Sequence, residues 1–153
     1  MAQKQKVTLE EKYGKRVTTR GLLHFSDVYY KTFLEVIGED DCDSKYYLAN
    51  YFLALHSIEL SLKSVLRHTK YTLDDLHKFG HNLQKIMEEI CTNELIYISK
   101  EEKTLIDLTN QMYKDKEFEY ITLGYKNPPK ILLLHSTTSS LLDKATKYIS
   151  TPK

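Results

Sequence analysis

The chain has 153 residues, 41% of them hydrophobic and 28% charged, with a formal net charge of +1. That length and composition suit a single soluble globular domain. The near-neutral balance excludes a global field that would recruit nucleic acid, and no apolar run approaches the roughly 20 residues that span a bilayer. The amino-terminal stretch lacks the apolar centre of a signal peptide. Cys42 and Cys91 are far apart and have no metal-ligand spacing. Free thiols in a reducing, cytoplasmic setting are therefore expected, with no membrane partner.

Charge is unevenly placed. Within residues 1–20, Lys4, Lys6, Lys12, Lys15, Arg16 and Arg20 face only Glu10 and Glu11, so the rest of the chain is net negative. Residues 1–20 read as a flexible basic arm that is either a solvated terminus or a contact for phosphates. Residues 21–150 read as one helical domain.

A first helix is predicted over 25–37, capped by Ser26 or Asp27, with Val28, Tyr29, Phe33, Val36 and Ile37 as its buried stripe. Gly38 ends it. The acidic run 39–43 forms a loop that favours the start of the next helix through its dipole, with Ser44 as cap. The second helix, over 46–67, is apolar almost all round, the mark of a central element. At 100° per residue, Leu48, Tyr51, Phe52, Leu55, Ile58, Leu62, Val65 and Leu66 share one broad arc. Glu59 falls inside that arc, with His56 and Lys63 on its edge. The opposite side carries Asn50, Ala54, Ser57, Ser61 and Ser64, residues small enough to admit a close neighbour.

Thr72-Leu73-Asp74-Asp75 has the form of a capping box, opening a short helix that ends at Gly80. A third full helix is predicted over 81–91, with Leu83, Ile86, Met87 and Ile90 inward. Ser99-Lys100-Glu101-Glu102 is a second capping box, and the helix it opens runs to about 114, with Leu105, Ile106, Leu108, Thr109 and Met112 inward. Gly124 and Asn127-Pro128-Pro129 mark turns. Pro129 suits the first turn of a fifth helix, which carries Ile131, Leu132, Leu134, Leu141, Leu142, Ala145 and Tyr148 and ends near 150. The sum is an all-α, compact bundle of about five helices.

The polar intrusions point to the candidate site. A carboxylate on an apolar helix face costs several kcal/mol unless it is paired, so Glu59 requires a partner. Lys63, His81 or a tyrosine hydroxyl supplies one in a purely structural reading. In a functional reading, His56, Glu59, Lys63, His81, Asn82, Tyr113, Lys116, Glu119 and Tyr120 line a pocket for a nucleotide or another anion. A counter-reading has Phe118 and Tyr120 plugging the end of the bundle. No Cys or His pair has zinc spacing, Glu-x-x-His does not occur, and no Gly-rich phosphate loop is present. No metal or cofactor is expected. The serines and threonines of 136–140 lie mid-helix, where a small packing stripe is expected rather than a nucleophile.

The segments His56-Ser57-Ile58-Glu59-Leu60-Ser61-Leu62-Lys63-Ser64-Val65-Leu66 and Gly80-His81-Asn82-Leu83 together resemble the HEPN superfamily (higher eukaryotes and prokaryotes nucleotide-binding domain). The stretch from Tyr113 to Tyr120, with Gly124 and Pro128, resembles bacterial HEPN-like proteins of about this length. The resemblance covers roughly residues 45–149. It implies a helical bundle that dimerises and works around nucleotides and RNA. Some members are metal-independent RNases of toxin–antitoxin and defence systems, and others are non-catalytic partners of nucleotidyltransferases. The RNase members place a His a short spacer after an Arg. Neither Arg16, Arg20 nor Arg67 is followed by a His at that spacing, and the family's Gly-His-Asp-Leu is Gly-His-Asn-Leu here. The resemblance therefore implies a non-catalytic binding or interaction module: a homodimer whose ligand or partner is a nucleotide, RNA or a nucleotidyltransferase. Two alternatives stand beside it. One is an atypical RNase using His81 or His56 with Lys63 or Lys116. The other is a structural subunit making contacts through Leu53 and Leu60.

Overall fold

A computed structural model describes residues 7–37, 47–118 and 129–152. The described residues form seven α-helices and no strand: α1 (Leu9–Tyr13), α2 (Thr19–Ile37), α3 (Tyr47–His68), α4 (Leu73–Phe79), α5 (Leu83–Thr92), α6 (Lys100–Lys114) and α7 (Ile131–Ser150). The fold is all-α. Among the described residues no helix is long and apolar enough to cross a membrane.

The central helix is α3, as its all-round apolar sequence predicts. Leu55, Ile58, Leu62, Val65 and Leu66 are fully buried on it, each contributing on the order of 1.5–3 kcal/mol of transfer free energy. It packs against α2, α7, α5 and α4. On its small-residue side α2 comes close enough for two serines to exchange hydrogen bonds. Ser26 Oγ donates to the Ser57 carbonyl at 2.7 Å, and Ser57 Oγ donates to the Ser26 carbonyl at 2.8 Å. Ser61 and Ser64 turn their hydroxyls back onto their own helix, to the carbonyls of Ile58 and Ser61. A serine satisfied locally can be buried without a desolvation penalty. In α7, Thr137 and Thr138 are buried, and Thr138 turns its hydroxyl back onto the Leu134 carbonyl.

Both predicted capping boxes form. Thr72 and Asp75 cap α4, and Ser99 and Glu102 cap α6. Glu102 has a second use: it is buried and receives Lys144 Nζ of α7 at 2.8 and 2.7 Å on its two oxygens. Phe118 is buried and stacks on Tyr51 at 5.3 Å.

Several expectations are corrected. Ser26 and Asp27 do not start a helix. α2 begins at Thr19, where Thr18 Oγ1 accepts from Gly21 N at 3.0 Å, and the early turns bring Leu22 and Leu23 against the core. Val28 is 40% exposed because the inward side of α2 carries Ser26 and Phe33. His81 precedes the third long helix rather than opening it. Asn82 is the cap, accepting from Lys85 N at 3.1 Å, and α5 starts at Leu83. Leu108 and Leu132 are 57% and 64% exposed, on outer faces of α6 and α7. Pro129 lies one residue before the Lys130 cap position, outside the first turn of α7.

Within the stretch read as a basic arm, residues 9–13 form α1. Thr8 and Glu11 make a capping box for it, and it docks on the end of α3 through Glu10 and Arg67 and on α4 through Asp74. The readings at Gly38, at the acidic run 39–43, at Ser44, and at Gly124, Asn127 and Pro128 lie outside the described residues, as do Glu119 and Tyr120 of the candidate site.

Candidate functional site

Glu59 sits in the middle of α3 with 3% of its side chain exposed. Its carboxylate is saturated from three directions. Lys63 Nζ, one helical turn on, donates to Oε1 at 2.6 Å. His81 Nδ1 reaches Oε2 at 2.9 Å from the turn after α4. Tyr113 of α6 donates its hydroxyl to the same oxygen at 2.6 Å. Lys63 also donates to the Gly80 carbonyl at 2.8 Å, so one lysine joins the carboxylate to the turn that carries His81. Gly80 has φ 56° and ψ −130°, a region that favours glycine. That turn directs its carbonyl at Lys63 and delivers His81 to Glu59.

Proton placement follows from the contacts. Tyr113 has one hydroxyl proton, and a carboxylate takes it. The 2.9 Å contact between His56 Nδ1 and the Tyr113 oxygen therefore has His56 as donor. His81 likewise carries its proton on Nδ1, facing Glu59. His81 Nε2 makes no hydrogen bond among the described residues, and 38% of the side chain is exposed. The ring is thus oriented by a buried acid and presents its other nitrogen outward, the arrangement by which a carboxylate fixes a functional histidine. Aromatic rings complete the surroundings. Phe52 stacks on His56 at 5.4 Å, Tyr29 meets it edge-on at 4.5 Å, and Tyr113 meets His81 edge-on at 5.7 Å.

The electrostatics agree with the geometry. Burial opposes ionisation of Glu59. The nearby His56 imidazole, the hydrogen bond from His81 and the charge and hydrogen bond of Lys63 outweigh it, and the carboxyl is held well below its ordinary range. The His81 pKa is raised: its hydrogen bond to Glu59 outweighs burial and the repulsion of Lys63 and Lys116. Around His81 the Glu59 carboxylate thus favours the added proton, while the Lys63 and Lys116 charges oppose it.

Of the residues that the sequence singled out, His56, Glu59, Lys63, His81 and Tyr113 come together. Lys116 follows α6 as an exposed residue with φ 59°. It acts on His81 through space and forms no hydrogen bond to the cluster. Asn82 is adjacent but uses Oδ1 to cap α5, a task an amide oxygen performs as well as a carboxylate. Tyr29, Phe52 and the Gly80 carbonyl were not singled out as site groups. Only Gly80 carries a sequence signal, as the residue before His81 that ends a helix.

Two surface clefts lie elsewhere. One, of about 330 Å³, is lined by Arg20, Leu23, His24, Asp27, Leu142 and Thr146. The other, of about 310 Å³, is lined by Cys91, Glu94, Ile96, Tyr97, Ile98 and Lys103. Neither contains a buried ionised group, whereas the Glu59 cluster does, and buried charge organised around an outward imidazole is the stronger mark of a site. Among the described residues no group of three or more His, Cys, Asp and Glu side chains could hold a metal ion. No family model, curated protein or solved structure matches the chain.

Proposed function

We propose that the protein is a non-catalytic, HEPN-like helical binding module that takes a phosphate-bearing ligand, a nucleotide or RNA, at the His81 face of the Glu59 cluster. The carrying observation is His81 itself: Nδ1 is held by buried Glu59 at 2.9 Å, and Nε2 faces outward beside two lysine charges. A pre-oriented cationic donor next to Lys116 favours an anion, and little side-chain ordering is needed on binding. The all-α fold and the meeting of the two sequence segments at Glu59 and His81 are consistent with the HEPN resemblance, which supplies the nucleotide and RNA class. A homodimer, or a complex with a nucleotidyltransferase, belongs to the same proposal. Exposed Phe25 and Val28 on α2 offer apolar surface for such contacts.

A second reading, an atypical metal-independent RNase, is favoured by one observation. A carboxylate-oriented imidazole with a free Nε2 is also the arrangement of a general base. Lys63 is already engaged by Glu59 and Gly80, which leaves Lys116 as the charge stabiliser. A thermal-shift screen of nucleotides and short RNAs separates these readings from a purely structural cluster. A ligand-dependent rise in Tm that is absent from His81→Ala supports binding. Cleavage of labelled RNA in EDTA that is lost in His81→Ala supports the RNase. A flat response to every ligand contradicts both.

A further inference from the structure

The polar stripe of α3 continues past Lys63. Arg67, eight residues beyond Glu59 and about 12 Å along the helix axis, makes a half-buried charge contact. Its two terminal nitrogens form a parallel fork to Glu10 of α1, Nη1 to Oε2 at 2.8 Å and Nη2 to Oε1 at 2.8 Å. Nη1 also donates to the Tyr71 carbonyl at 2.9 Å, and Nη2 to the Gly14 carbonyl at 3.2 Å. The Tyr71 contact belongs to the α3–α4 connection and does not depend on α1. It aims the guanidinium whether or not Glu10 is present.

The hydrogen bonds that hold α1 in place run through Glu10 and Asp74. No residue of the helix is buried, and Val7 beside it is 67% exposed. It is attached by the Arg67 fork, by Glu10 Oε2 accepting from Leu73 N, and by Asp74 accepting from the backbone of Leu9 and Glu10. A five-residue helix with no fully buried side chain lies at the low-stability end of a fold and opens locally. Fit is tight around the carboxylate: a Cβ on Gly14 would lie 2.4 Å from Glu10 Oε1 and 2.5 Å from the Glu10 carbonyl.

We propose that Glu10 is an internal ligand, whose carboxylate occupies an anion-binding fork at Arg67 that a phosphate of the bound ligand takes when α1 lifts away. The proposal rests on the phosphate reading of the Glu59–His81 cluster and extends it to a second contact. A fork of two parallel N–H donors suits phosphate as well as carboxylate. Because Glu10 is tethered, its effective concentration at Arg67 is on the order of millimolar or higher. Free phosphate competes poorly with it. A ligand with several phosphates, one of them held at His81, competes better, so the ligand class is an oligonucleotide rather than a mononucleotide.

The test uses the full chain and a short fluorescein-labelled oligouridylate, read by anisotropy, with amide exchange of residues 8–17 in parallel. Glu10→Gln, which frees the fork, should bind roughly threefold tighter than wild type. Gly14→Ala, which displaces α1 without changing charge, should also bind tighter. The gain should vanish in Glu10→Gln/Arg67→Gln. Saturating wild type with the probe should increase exchange in residues 8–17. The proposal is overturned if neither single variant binds more tightly, or if the gain survives loss of Arg67. Wild-type binding that needs His81 but shows no gain upholds the cluster reading and removes the latch. A gain through Arg67 that ignores His81→Ala does the reverse, and absence of binding in every variant overturns both.

Discussion

His81 Nδ1 donates to Glu59 Oε2 at 2.9 Å across 22 residues of sequence, so a carboxylate in the middle of α3 fixes the turn that ends α4. Removing it leaves Lys63, with 13% of its side chain exposed, and His81 without their counterion. Glu59→Ala should therefore lower stability by about 3 kcal/mol, the low end for breaking a buried pair because both cations can reach water. Urea unfolding measures it, and a loss under about 1 kcal/mol would show that the cluster carries little of the fold.

Gly80→Ala isolates the turn. Nothing lies within 4 Å of the added Cβ, so the cost is backbone strain at φ 56°, on the order of 1–3 kcal/mol. Relief of that strain moves the Gly80 carbonyl off Lys63 and His81 off Glu59. The His81 pKa, read by NMR titration, should fall back toward its ordinary 6.5. An unchanged value would mean that the turn does not set the histidine.

Stability should depend on pH in two limbs. The His81 pKa is raised in the folded state, so its contribution is complete below the unfolded value of 6.5 and is lost as pH rises through the folded pKa. The Glu59 pKa is lowered, so its contribution is complete above the unfolded value of 4.5 and is lost as pH falls below it. The contribution of the cluster is therefore greatest between about 4.5 and 6.5, and His81→Ala should flatten the limb above 6.5. Melting temperature against pH for the two proteins checks this. A variant that keeps the same alkaline limb contradicts the assignment.

The Ser26–Ser57 exchange makes a prediction opposite to that of a helix cap. Ser26→Ala removes the hydroxyl that donates to the Ser57 carbonyl but keeps the residue-26 carbonyl that accepts from Ser57 Oγ, at a cost of about 1 kcal/mol. Ser26→Leu forces α2 and α3 apart and should cost more, about 3 kcal/mol. Thermal unfolding of both variants decides. A tolerated leucine would mean that the two helices are not in close contact at this level.

What was legible in the sequence depended on the range of the interaction. The boxes at Thr72 and Ser99 could be read because both partners lie within one turn. Glu59 could be read as a group needing a partner because an acid on an apolar arc has few alternatives, and Lys63, His81 and a tyrosine were named for it. The start of α2 was misplaced because serine serves equally as a cap and as a close-packing residue. Only the presence of Ser57 on another helix decides between these roles. Leu108 and Leu132 fit their apolar stripes, but periodicity does not say which part of a broad stripe a neighbour covers. α1 was hidden inside a basic run because its attachment, Glu10 to Arg67, spans 57 residues and contributes no apolar pattern.

The most direct test of the central claim is a calorimetric titration of a short oligouridylate into wild type and His81→Ala at pH 6.5 and low salt. With His81 as the cationic donor, wild type gives saturable binding that weakens with added salt, and the variant, folded by circular dichroism, gives none. Equal affinity in the two proteins, or no heat from wild type, would contradict it.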